Sequence, residues 1–100
     1  MSIQKGLLLD GAGSDGTGDV LEVPSRNDVT LYPVATGSTS LAYLVEGRNE
    51  FGDWHPVHAE TLSGASGPQD PVRVDGYFSA YRATVSDYSA GEITVGIEIY

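Results

Sequence analysis

The sequence predicts an all-β fold, an antiparallel β-sandwich with an immunoglobulin-like or jelly-roll-like threading of about seven or eight short strands. Three observations predict it. Apolar residues alternate with polar ones over several stretches, turn-forming residues recur between those stretches, and no long window carries the 3.6-residue apolar period of a helix. A chain of 100 residues with 40% hydrophobic and 19% charged residues has enough apolar material for one core, and no room for a second.

The C-terminal strand is the plainest. Ile93, Val95, Ile97 and Ile99 alternate with Thr94, Gly96, Glu98 and Tyr100, which places one row on a core and the other outward. Upstream, Tyr77, Ser79, Tyr81, Ala83 and Val85 share one side of a strand, and residues 86–91 between the two have the length of a hairpin connection. Leu41, Tyr43 and Val45 alternate with Ala42, Leu44 and Glu46. Val29 and Leu31 begin a further alternation that meets Pro33, and a proline there predicts an edge or a bulge. Residues 5–9, 19–23, 53–57 and 71–74 supply shorter strands. Glycine, serine, aspartate and proline mark residues 10–19, 37–40 and 63–71 as loops.

Two regions follow from this pattern. Residues 1–19 form an N-terminal strand or arm with a glycine/aspartate-rich loop, and residues 20–100 form the sandwich. The Leu7-Leu8-Leu9 run either adds a strand to the sandwich or reaches along a neighbouring subunit.

Charge restricts the partners. Fourteen Asp and Glu against five Lys and Arg give a net charge of −9, which repels a phosphate backbone, so nucleic acid is not expected. The cations Lys5, Arg26, Arg48, Arg73 and Arg82 are scattered and form no basic stripe. With no cysteine there is no disulfide, thiolate metal site or thiol nucleophile. The longest apolar run, three leucines, is far below the roughly 20 residues of a membrane helix, so the expectation is a soluble protein made inside the cell, with no membrane partner.

Catalytic and metal-binding constellations are weak. The glycine/aspartate loop has calcium-like composition, but an EF-hand would need a glutamate where Leu21 stands, and the loop does not recur as a repeat. His55 and His58 lie near Asp53 and Glu60, yet two strand residues three apart point to opposite faces, and Pro56 between them disturbs that geometry. The serines stand in turn contexts without a nucleophile elbow. No catalytic residue, cofactor or metal is expected, and the chain reads as a non-enzyme. Six tyrosines invite an interface reading, since tyrosine joins a rigid apolar body to a polar tip. Tyr43, Tyr77 and Tyr81 fall in apolar-facing registers. Leu7, Leu8, Leu9, Tyr32, Tyr88 and Tyr100 are the candidate partner contacts.

One order of segments runs from Val29-Thr-Leu-Tyr32 through Leu41-Ala-Tyr-Leu-Val-Glu46 and Gly52-Asp-Trp54-His-Pro-Val57 to Tyr81-Arg82-Ala-Thr-Val85 and Gly91-Glu-Ile-Thr-Val95. This order, across residues 20–100, resembles the small β-sandwich accessory virion proteins of tailed bacteriophages, of the capsid decoration (cement) type. The resemblance implies a structural protein of the virion, made in the host cytoplasm, that binds and stabilises the lattice of the major capsid protein and assembles with copies of itself. Tail or baseplate proteins, and carbohydrate- or protein-binding modules, use similar sandwiches and remain the alternative. In this reading Trp54 fills the space between sheets, Arg82 faces away from Tyr81, and Gly91 turns the last hairpin.

Overall fold

Alternating apolar residues commit nearly the whole chain to extended structure. The computed structural model describes residues 4–24 and 27–100; Arg26 and the first three residues of the expected arm lie outside them. The described strands are β1 (Gln4–Ala12), β2 (Gly16–Thr17), β3 (Leu21–Glu22), β4 (Val29–Arg48), β5 (Trp54–Pro68), β6 (Val72–Val74) and β7 (Ala80–Ile99). All pair antiparallel in one sheet of order β1-β7-β4-β5, with β2 and β3 continuing β1 along β7, and β6 continuing β5 along β4.

The two central strands have 20 residues each. Drawn straight at ~3.3 Å per residue they would reach about 66 Å, yet the longest extent of the molecule is 36 Å. They therefore bend, and the pairing shows where: the β4–β7 register slips between Thr36 and Ser40 and again before Ala42, then returns. The sheet folds over on itself there. Its two halves become two layers, and the inward residues of both halves, Val29, Leu31 and Ala35 with Leu41, Tyr43 and Val45 on β4, and Tyr81, Ala83 and Val85 with Ile93, Val95, Ile97 and Ile99 on β7, form one core. Leu21 of one layer lies over Gly6 of the other, so close that a side chain at Gly6 would press on it.

The expected hairpin at residues 86–91 is instead the bend inside β7. Asp87 (φ 51°) and Gly91 (φ 79°) are left-handed, which turns the strand without reversing it. Gly91 accordingly turns no hairpin. The loops expected at 37–40 and 63–71 are likewise mostly strand, because Gly37, Gly64 and Gly67 absorb the curvature while pairing continues. Short strands expected on either side of these segments are thus halves of longer ones. Pro33 sits not at an edge but in central β4. Its carbonyl accepts the Gln69 N–H at 2.8 Å, so its missing donor faces the gap between the last β5 pair, Val34 with Pro68, and the first β6 pair, Leu31 with Val72. Tyr77, expected to face the core, precedes the start of β7 and is 54% exposed.

A candidate interaction face

Strand alternation decides which side chains leave the core. On the outer half of β7, Ile93, Val95, Ile97 and Ile99 point in, so Gly96 and Glu98 point out. Leu7 and Tyr32 are the direct neighbours of Gly96 on β1 and β4, and Lys5 and Thr30 are those of Glu98. Gly96 has no side chain, so Leu7 and Tyr32 wall a groove of ≈ 390 Å³ with Lys5 and Glu98 at one end.

The polar ends of this face are fastened. The Tyr32 hydroxyl donates to Glu98 Oε1 at 3.2 Å, and the Tyr100 and Thr30 hydroxyls lie 2.6 Å apart. Partial burial first, then the hydrogen bond to and the charge of Glu98, raise the Tyr32 pKa, so its phenol stays a donor. Leu7 is 51% exposed, Tyr32 40% and Tyr100 37%. Three of the six candidate contacts thus meet on one surface, held rigidly by three paired strands.

The other three do not. Leu8 and Leu9 are both buried, because the β1–β7 register shifts between Leu7 and Leu9 and turns two consecutive side chains inward. They are core residues and not surface contacts, and the leucine run is a strand of the sheet. Tyr88 is tied into the bend: its hydroxyl donates to the Gly91 carbonyl at 2.9 Å, and its N–H donates to Asp15 Oδ1 at 2.9 Å.

Trp54 does not lie between the layers. It is paired with Arg48 at the end of β5 and shares the outward side, where the Arg82 guanidinium stacks 4.1 Å from its ring centroid and that of Arg48 lies 5.6 Å away. Each arginine also holds a carboxylate, Arg82 with Glu46 at 2.9 Å and Arg48 with Glu22 at 2.6 Å. Arg82 does face away from buried Tyr81.

The two histidines share a face after all. A bulge between the pairs Glu46–Pro56 and Val45–His58 reverses the alternation. Their partners differ, however: His58 Nε2 is 3.3 Å from the Tyr43 hydroxyl and 3.5 Å from Glu60, whereas His55 Nε2 meets the Asn49 amide at 2.7 Å. Among the described residues no group of three His, Cys, Asp or Glu side chains is placed to hold a metal ion.

Residue reasoning passed over Phe51, 91% exposed in the turn between β4 and β5. It also passed over Gly96, although a glycine inside a regular alternation signals a close approach or an opening on a sheet face.

No protein-family model matches the chain, and no curated protein matches it. Among solved structures, the fold is similar to that of the SPBc2 prophage-derived protein YomS, with a TM-score of 0.66 and 14% identity over 97% of this chain and 92% of that one. A second structure, that of PirA, aligns at a TM-score of 0.43 and 13% identity over 86% of this chain and 93% of that one, too distant to carry an argument. The chain therefore shares its fold, nearly end to end, with a protein of prophage origin.

Proposed function

We propose that this protein is a non-catalytic accessory component of a tailed-phage virion, and specifically a capsid decoration protein that binds and stabilises the major capsid protein lattice. The observation that carries the reading is the fold shared with a prophage-derived protein across 97% of the chain. The segment order that resembles decoration proteins gives the finer assignment. The physical character of the molecule fits the role, since one antiparallel sheet folded around a single core presents continuous paired-strand surfaces to a partner.

The surface proposed to meet the lattice is the end of the fold opposite the bends. Arg48 pairs with Ala80 there, Phe51 follows in the β4–β5 turn, and Tyr77 precedes β7, so two exposed aromatic rings flank the same sheet end. The acidic chain, at net charge −9, would favour a cationic patch on the capsid protein.

Co-sedimentation with capsids lacking the protein tests this. Saturable binding at hundreds of copies per particle, lost in a Phe51→Ser, Tyr77→Ser variant that keeps its fold, is the expected result. Absence of binding to heads at low and moderate salt would overturn the decoration assignment.

A further inference from the structure

The outward face around Gly96 is complementary to itself. Leu7 projects beside the hollow left by Gly96, directly across the β1–β7 pair, and Lys5 stands beside Glu98 across the same pair of strands. A knob lies next to a hole of matching kind, and a cation next to an anion, in the same order along the strands.

We propose that this face is a two-fold homodimer interface in which Leu7 of one protomer fills the Gly96 hollow of its partner while Lys5 pairs with the partner's Glu98. Two sheets packed face to face are related by an axis lying in the plane between them. An axis parallel to the strands and midway between β1 and β7 exchanges the two rows, so it brings Leu7 over Gly96 and Lys5 over Glu98 in a single operation, twice per dimer. Tyr32, one strand further in, then reaches past the partner's β1 edge and covers its free backbone groups.

Charge singles out this occupant. Among the described residues Arg48, Arg73 and Arg82 each hold a carboxylate within 3.3 Å, whereas Lys5 is in no ion pair. Lys5 is exposed, with its ammonium free for an acid from outside the chain, and a second copy supplies one in register. In a chain of net charge −9, association of two copies needs such local compensation to offset the long-range repulsion. The inference does not depend on the virion assignment, because it concerns copies of the free protein.

Sedimentation equilibrium on the free protein tests it. The expected result is a mass that rises from one protomer to two with concentration. Gly96→Leu fills the hollow at a position where an added Cβ meets nothing closer than 3.7 Å and the backbone is not left-handed, so the fold should persist while the dimer is lost. Lys5→Glu and Glu98→Lys should each be monomeric alone, since each brings like charges together across the interface twice per dimer, and a one-to-one mixture of the two should form a mixed dimer. A wild-type protein that stays monomeric into the millimolar range would overturn the proposal. So would a dimer that survives Gly96→Leu, or a mixture that stays monomeric while the wild type dimerises. Capsid co-sedimentation of the Gly96→Leu variant reads the virion assignment separately.

Discussion

The Thr39 side chain occupies the space that a side chain on Gly91 would need. Thr39 is fully buried, and its hydroxyl lies 3.0 Å from the Thr36 and Glu92 carbonyls while accepting the Glu92 N–H at 3.2 Å. Gly91 sits against it with φ 79°. The two residues pin β4 to β7 at the fold line of the sheet.

Gly91→Ala meets both a left-handed backbone and the Thr39 side chain. Left-handed strain and overpacking together should cost about 2–4 kcal/mol. The urea midpoint should fall accordingly, and a midpoint unchanged from wild type would show that the bend does not depend on this contact.

Thr39→Val keeps the volume and removes the hydroxyl. It leaves the Glu92 N–H and at least one carbonyl without their partner inside the bend, a loss of about 1–3 kcal/mol. Hydrogen exchange at Glu92 should accelerate relative to amides of the β7 core. Equal protection in the two proteins would remove the hydroxyl from the account.

Adjacent leucines should behave oppositely. Leu8→Ala empties a fully buried site and should cost about 2–5 kcal/mol, while Leu7→Ala in dilute protein should stay within about 0.5 kcal/mol of wild type. Leu9→Ala should cost about as much as Leu8→Ala, and chemical denaturation of these two variants checks the bulge, because a regular β1 would bury only one of Leu8 and Leu9.

This last contrast marks the limit of what periodicity can say. The alternations at residues 41–46 and 93–99 were legible because each lies within a regular half-strand. Continuity across the bends was not, since Gly37, Asp87 and Gly91 carry the same composition whether a strand reverses or only curves. Bulges at Leu8 and beside Pro56 each shift a face by one residue, which buried Leu9 and aligned the histidines. Of the candidate contacts, Leu7, Tyr32 and Tyr100 lie on one exposed face, but the placing of Leu7 and Tyr32 on either side of Gly96 depends on the order β1-β7-β4, a long-range pairing that no local pattern encodes.

Trp54 is the only tryptophan, so its fluorescence reports one place. Arg82→Ala removes the guanidinium stacked on the ring and leaves Glu46 without its 2.9 Å partner. Emission should shift to the red as water replaces the cation, with a stability loss of about 1 kcal/mol. Arg82→Lys should recover only part of this, because an ammonium offers neither the planar stack nor the same donor geometry. Emission identical in all three proteins would place the ring elsewhere.

Tyr81 is completely buried against the edge of Phe78, and its hydroxyl has no hydrogen-bond partner among the described residues. Burial pushes its pKa up to about 12 from the ordinary value of 10.0. A phenol that ionises later in the folded chain than in the unfolded one contributes stability that is whole below pH 10 and is lost as pH rises toward 12, since the unfolded state then binds fewer protons. Tyr43 adds in the same direction, its pKa raised by burial and then by the charge of Glu60. Tyr81→Phe removes an unsatisfied hydroxyl without opening a cavity, so at neutral pH it should leave stability unchanged or raise it by about 1 kcal/mol. Above pH 10 the variant should lose stability less steeply than wild type, the remaining slope belonging to Tyr43 and the surface. Urea melts of both proteins across the alkaline range decide the matter: a clear destabilisation of Tyr81→Phe at neutral pH would mean that the hydroxyl is satisfied in solution, by a buried water bridging it to the core backbone.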